Sequence, residues 1–226
     1  MVVTIEHHSL SEEVAAYLLT QLLVSDQYPC GTFIREEEVA RLLNISRAPV
    51  REALRILDSQ GLVKSIPRRG ALVIEYSEED VAELYDIRFA LESQIFDAIV
   101  RGGLLTEAIT GKLRSILEDM LSVCQGEGSM EEKVIAFTKK DLLFHLTLSE
   151  CSGRRWTHRL LKGIYSQLQI AMIRDLKEEK HLERSALEHV KILETLIVGD
   201  LESIRKNRHY SYFHRRLHLV ENQGGE

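Results

Sequence analysis

Two amphipathic helical segments with only Ile45 and Ser46 between them constrain this chain more than any other feature. The first opens on Glu36, Glu37 and Glu38, three carboxylates at the positive end of a helix dipole. It buries Val39, Leu42 and Leu43 and ends at Asn44. The second spans 47–60: Ser46 is suited to cap it, Pro49 falls in the first turn where its missing N–H costs nothing, and Gly61 supplies a left-handed stop. Val50, Ala53, Leu54 and Leu57 have helical spacing for a buried stripe, while Arg47, Arg51 and Arg55 recur every fourth residue on another face. Helices joined this tightly, the second presenting arginines, fit the helix-turn-helix plan, in which the second helix enters the major groove of DNA.

The flanks extend the unit. Ser9 and Glu12 form a capping-box pattern ahead of a helix with the stripe Val14, Leu18 and Leu22, Ala15 and Leu19 beside it, and Tyr28-Pro29-Cys30-Gly31 is a turn. On the other side, 62–66 and 71–74 read as strands around Pro67-Arg68-Arg69-Gly70, a hairpin with a basic, glycine-containing tip. Residues 1–75 are therefore expected to be a winged helix-turn-helix of three helices and a hairpin wing. Arginine suits its surface because the planar fork grips guanine O6 and N7 or a phosphate, each good base contact giving roughly 1–3 kcal/mol of discrimination. Arg47 lies in the first turn and Arg51 one turn on; Arg55, further along, is placed for phosphate or water.

The net charge of −6, from 29 Lys+Arg and 35 Asp+Glu in 226 residues, at first argues against nucleic acid. Its distribution reverses that argument. Between residues 41 and 70, Arg41, Arg47, Arg51, Arg55, Lys64, Arg68 and Arg69 face only Glu52 and Asp58, the polarised pattern an acidic protein needs to meet phosphate on one side. Cys30, Cys124 and Cys151 are scattered, with no CxxC pair, which argues against a disulfide framework or a thiolate zinc site and for a reducing, cytoplasmic compartment. There is no basic leader followed by an apolar stretch and no apolar run of about eighteen residues, so neither export nor a membrane partner is expected.

From Ser77 onward helical periodicity takes over. Ser77 and Asp80 offer a cap for a long helix through Val81, Leu84, Ile87, Leu91 and Ile95, ending near Gly102-Gly103. Further stretches near 105–125, 131–152, 155–178, 181–199 and 201–222 make 76–226 an all-α bundle of about six or seven helices, and the chain as a whole mainly α. Trp156, Tyr165, Tyr210 and Tyr212 read as core aromatics; His7, His8, His158, His181 and His218 read as surface residues.

The run Leu43-Asn44-Ile45-Ser46-Arg47-Ala48-Pro49-Val50-Arg51-Glu52-Ala53-Leu54-Arg55-Ile56-Leu57, continuing to Gly61-Leu62-Val63 and Pro67-Arg68-Arg69-Gly70-Ala71, closely resembles the DNA-binding domain of the GntR family of bacterial transcription regulators. The resemblance implies that Ser46, Arg47, Ala48 and Arg51 hold the recognition-helix contact positions, with Arg68 and Gly70 at a wing tip beside the minor groove and Glu52 holding the helix orientation. Position 48 is Ala where many relatives carry Thr, so a half-site sequence does not carry over. The second half resembles the helical effector domain of the FadR subfamily, the FCD domain, through Leu84-Tyr85-Asp86-Ile87-Arg88-Phe89-Ala90-Leu91-Glu92, Asp141-Leu142-Leu143-Phe144-His145, Glu188-His189 and Gly199-Asp200.

Asp141 and His145, four apart, share one helix face, and a carboxylate with imidazoles suits a divalent transition metal ion: zinc, nickel, manganese or iron. The resemblance adds His189 as the next ligand and a histidine at the place where Ser211 stands. His209, followed by Tyr210, Phe213 and Leu217, is the first candidate for that last ligand; a three-ligand site completed by water or effector, and a site using His214, are the alternatives. Arg88, on a helix that lines the family's cavity, is the candidate for gripping an effector carboxylate, unless it serves only to pair with Glu92 four residues on. The implied protein is a cytoplasmic, homodimeric repressor that binds palindromic operator half-sites and is controlled by a small organic acid. A metal-free regulator with an apolar or acyl ligand is one alternative. A metal-dependent enzyme is the other, and against it no general base such as the Glu of an HExxH motif stands near the ligands.

Overall fold

The computed structural model describes residues 9–24, 27–179 and 182–206. Its elements are α1 (Leu10–Val24), β1 (Phe33–Ile34), α2 (Glu36–Leu42), α3 (Arg47–Ser59), β2 (Val63–Ile66), β3 (Gly70–Val73), α4 (Glu78–Gly102), α5 (Glu107–Gln125), α6 (Met130–Cys151), α7 (Arg155–Glu179), α8 (Leu182–Val198) and α9 (Leu201–Lys206). The fold is mainly α, a winged helix-turn-helix followed by helices alone. They form two compact units, Met1–Tyr85 with Gly163–Ile173, and Asp86–Lys162 with Arg174–Glu226. Among the described residues no helix is long and apolar enough to cross a membrane.

In the first unit α1 packs on α3. The Ser9 N–H donates to the Glu12 carboxylate at 2.8 Å and the Glu12 N–H returns to Ser9 Oγ at 3.3 Å, so α1 starts where its capping box indicates. Val14, Leu18, Val39, Val50, Ala53 and Leu57 build the core with Ile34, Leu62 and Ala71. Leu42, read as core, is instead 55% exposed. The buried face of α2 is centred among Val39, Ala40 and the half-buried Leu43, and Leu42 lies about 100° round from that centre.

The connection between α2 and α3 is closed by backbone alone. Asn44 adopts φ 51°, its N–H donates to Arg41 O at 3.3 Å, and the Ile45 N–H reaches Ala40 O at 3.0 Å, the two bonds of a Schellman motif. Asn is a residue that tolerates this left-handed conformation. The same motif ends α3, with Gly61 at φ 75° and bonds from Gly61 to Asp58 O and from Leu62 to Leu57 O. Ser46 stands at the N-cap of α3 in extended conformation, but its side chain makes no capping bond.

The sheet has the order β1-β3-β2, antiparallel throughout, with Ile34 opposite Ala71 and Ile66 opposite Gly70. A β1 of two residues has no periodicity to read, and the sequence gives no sign of it. The wing turns at Pro67 and Arg68: the Arg69 N–H donates to Ile66 O at 3.0 Å, and Arg68 has φ 64°. Proline second and a positive φ third is the pattern of a type II turn, whose third position ordinarily takes Gly or Asn. Gly70 lies past this tip, at φ 97°, where a Cβ would stand 2.3 Å from Ile34 O. Its glycine is therefore demanded by the close approach of β1.

Ser77 and Asp80 cap α4 reciprocally, at 2.9 and 3.1 Å, and α6 opens on a capping box of Ser129 and Glu132. In the second unit α5 packs on α6 and α8, and Ile95, Ile99, Leu113, Met120, Phe137, Phe144 and Leu148 are buried. Val81 and Ile95 are buried as the α4 stripe requires, whereas Ile87 is 40% exposed. Tyr165 is buried, but Trp156, read as core, is 64% exposed. It sits in the first turn of α7 with the guanidiniums of Arg155 and Arg159 at 5.3 and 5.8 Å from its ring, a cation–π arrangement suited to a surface. His158, read as a surface residue, is half-buried, with Nδ1 3.0 Å from Ser149 Oγ. Tyr210 and Tyr212, and His7, His8, His181 and His218, lie outside the described residues.

Candidate nucleic-acid interface and metal centre

A groove of about 1080 Å³ is lined by α3, the wing and the start of α2. Arg35, Arg47, Arg51, Arg55, Arg68 and Arg69 line it, together with Glu36 and Glu37. Ser46, Arg47, Ala48, Arg51 and Arg68 are all exposed, and Gly70 is half-buried against β1. The arrangement is a cationic trough beside an exposed helix N-terminus, the shape and charge that suit a phosphate backbone.

The two carboxylates are what the sequence reading missed at this surface. Glu36 clasps Arg51, with Nε 2.9 and 3.1 Å from its two oxygens and Nη2 at 2.8 Å. Glu37 takes Arg47 at 2.9 Å and Arg41 at 3.6 Å. The Arg51 hydrogen bond holds the Glu36 carboxyl below the usual carboxylate range; burial opposes it, and the charges of Arg51, Arg47 and Arg55 add to it. Glu36 and Arg51 are 15 residues apart in sequence, so no local spacing signals the pair. Glu52 is exposed and pairs with Arg55 at 3.1 Å, a contact within α3 that does nothing to fix the helix in the unit. Exposed pairs such as Glu37–Arg47 and Glu52–Arg55 contribute on the order of 0.2–1 kcal/mol, little enough to be exchanged for a phosphate or a base.

The second candidate site lies among α4, α6 and α8. Asp141 and His145 project from α6 and His189 from α8, and one ligand atom from each lies within 4.8 Å of the others. All three side chains are buried. Asp141 Oδ1 is 2.8 Å from His189 Nε2 and 4.0 Å from His145 Nε2, and the two Nε2 atoms are 3.1 Å apart. A tetrahedral ion with bonds of about 2.05 Å separates its ligands by about 3.3 Å, which these distances bracket. Of the other ring nitrogens, His189 Nδ1 donates to Ser185 O at 2.7 Å, which orients that imidazole, while His145 Nδ1 lies 2.8 Å from the Glu92 carboxylate but outside hydrogen-bond geometry. Asp141 Oδ2 is buried with no hydrogen-bond partner among the described residues. A buried, unsatisfied carboxylate oxygen beside two imidazoles fits a divalent transition ion.

Without an ion the three groups act on one another. Burial would raise the Asp141 pKa, but the hydrogen bond from His189 and the charges of His189, His145 and Arg88 pull it down to about 2. His189 is pushed up: burial disfavours its charge, and Asp141 outweighs burial. Burial, with Arg88 in the same direction, pushes His145 down against Glu92. Arg88 makes the pair with Glu92 that its spacing allows, with Nε 3.1 Å from the carboxylate, and its Nη2 stands 2.7 Å from His145 Nε2 beside the ligand cluster. Phe144 packs edge-on against both imidazoles, at 5.3 Å from each. His209, His214 and Ser211 lie outside the described residues.

Comparison with known proteins identifies the two halves that carry these sites. Residues 10–73 match the family described as bacterial regulatory proteins, gntR family, and residues 83–211 match the FCD domain. The gluconate operon transcriptional repressor of Bacillus subtilis is 34% identical over 157 residues, 70% of this chain; the match spans 60% of that repressor's length. The Bacillus licheniformis protein of the same name is 28% identical over 86% of this chain and 79% of its own. Among solved structures, E. coli McbR/YncC superposes with a TM-score of 0.71 at 21% identity, covering 97% of this chain and all of that one, which shows the fold. The relatives are transcriptional regulators and not enzymes. With both of its halves matched, the chain belongs to the GntR family of DNA-binding transcriptional regulators and carries an FCD domain.

Proposed function

We propose that residues 1–75 read an operator and residues 76–226 sense a small organic acid whose binding changes operator affinity, as a repressor of the FadR subfamily acting as a homodimer in the cytoplasm. Ser46, Arg47, Ala48 and Arg51 approach base edges, while Arg68 and Gly70 bring the wing to the backbone and minor groove. Asp141, His145 and His189, with His209 as a fourth ligand, hold a divalent ion. An ion there supplies a Lewis-acidic seat for an effector carboxylate or hydroxyl. Around it, Arg88 offers the guanidinium fork to a carboxylate, Glu92 holds both Arg88 and His145 in place, and Phe144 and Phe137 keep water from the imidazoles. Two relatives named as gluconate operon repressors support a carboxylate as the effector class.

The observation that carries this reading is the convergence of three buried ligand atoms with the unsatisfied Asp141 Oδ2. Metal analysis of protein purified without a histidine tag tests it: about one ion per chain is expected in the wild type and none in Asp141→Asn or His189→Ala. Arg51→Ala tests the other half, with operator binding lost and the melting temperature unchanged. A second, metal-free reading is favoured by one contact, the Arg88 guanidinium 2.7 Å from His145 Nε2, where it satisfies the lone pair an ion would need. Normal effector binding by metal-free protein selects that reading.

A further inference from the structure

The pairing of Glu36 with Arg51 does more than neutralise charge. An arginine carries five N–H donors. Glu36 uses Nε and one hydrogen of Nη2, the side edge of the fork. The end edge, made by the parallel N–H groups of Nη1 and Nη2, is left over, and it is an edge with the spacing for guanine O6 and N7. The two partners are unequally sheltered: the Glu36 side chain is 27% exposed and that of Arg51 54%, so the carboxylate is the anchored member and the remaining donors reach solvent. Glu37 differs. It is 58% exposed and divided between Arg47 and Arg41, with a single short contact to the first.

We propose that Glu36 is a positioning residue for base recognition, bracing the Arg51 guanidinium by its side edge so that its end edge is presented to a guanine. The proposal rests on the reading that Arg51 contacts a base. A carboxylate in a phosphate-facing groove repels DNA; at about 0.15 M salt one such charge weakens sequence-independent binding about fivefold. A brace offsets that repulsion only at the correct sequence, where an ordered fork replaces one free to rotate. Repulsion alone and bracing therefore predict opposite changes in the ratio of specific to non-specific binding.

Anisotropy titrations of the full chain at about 0.15 M salt, against a duplex enriched from a random pool by the wild-type protein and a shuffled duplex of the same composition, measure that ratio. Glu36→Gln is expected to tighten binding to the shuffled duplex and weaken binding to the enriched one, lowering the ratio at least tenfold with the melting temperature unchanged. Glu36→Asp keeps the charge but shortens the reach, and is expected to lower the ratio as well. In an Arg51→Ala background Glu36→Gln is expected to change the ratio less than twofold, since the two residues act as one unit. Equal tightening on both duplexes by Glu36→Gln, or wild-type behaviour of Glu36→Asp, overturns the brace while leaving Arg51 as a base contact. An unchanged ratio in Arg51→Ala overturns that contact and the brace with it.

Discussion

Arg68 offers a substitution in which stability and DNA binding move in opposite directions. Its φ of 64° at the third position of the wing turn is a left-handed conformation that costs a residue with a Cβ about 1–2 kcal/mol. Arg68→Gly removes that cost but gives the unfolded chain more freedom, worth about 0.5–1 kcal/mol in the other direction. The difference is a net stabilisation of about 0.5–1 kcal/mol, which for a chain of this size raises the melting temperature by about 1–4 °C. Arg68 is also exposed at the tip of the wing, where the proposed function sets it against the DNA backbone. Losing one phosphate contact lowers the slope of log K against log salt by about 0.9, or about fivefold in affinity at 0.15 M salt for each wing, with little change in sequence preference. Thermal melting and a salt titration of operator binding measure the two effects. A lower melting temperature would mean that the arginine side chain packs against the wing. An unchanged slope would remove Arg68 from the phosphate contacts.

The buried pair of Asp141 and His189 sets the pH response of chelated protein. Asp141 is lowered to about 2, so its contribution of about 2 kcal/mol is present above about pH 4, falls to about half near pH 3, and is lost as pH drops through 2. His189 is raised, so its contribution is complete below about pH 6.5 and disappears as pH rises through its folded pKa. Urea unfolding of wild type and Asp141→Asn should therefore differ most between about pH 4 and 6.5, and a difference independent of pH would refute the pairing. Adding zinc or nickel to the chelated wild type at pH 8, at about 100 times Kd, should stabilise it by about 2.7 kcal/mol, with no such gain in His189→Ala. Tyr76, whose hydroxyl donates to Gly61 O, is pushed up to about 12 by burial first and then by Asp80 and Cys30. Tyr76→Phe should cost about 1 kcal/mol at neutral pH. Because the raised pKa makes the wild-type contribution complete below pH 10 and lost as pH rises through 12, the gap between the two proteins should close across that interval.

How much of this was legible in the sequence varies with the range of the interaction. The helices, their caps at Ser9, Ser77 and Gly61, and the joint placement of Asp141 and His145 depend on residues within four of one another, and periodicity exposes them. His189 joins them from another helix 44 residues away, so it was reached through the resemblance to a family and not through spacing. Strand β1 owes its existence to Leu72 and Ala71 on a strand much later in the chain. Glu36 and Glu37 were read correctly as favourable at a helix N-terminus, yet the same carboxylates also reach across to α3. Trp156 shows the limit of composition: a large aromatic residue reads as core, but two neighbouring guanidiniums give its ring faces suitable company in water.

The backbone-only closure of the turn before α3 has an evolutionary consequence. Asn44 and two main-chain bonds fix where the recognition helix begins, Ser46 spends no side-chain atom on the cap, and Ser46, Arg47 and Ala48 are all exposed. These three positions can therefore mutate without disturbing the unit's folding. On the proposed function, operator preference can then drift, or be reprogrammed by design, while the scaffold and the second half stay as they are. A library randomised at 46, 47 and 48 should be rich in folded proteins with changed DNA preferences and unchanged melting temperatures, whereas substitutions at 44 other than Gly should lower stability by about 1–2 kcal/mol.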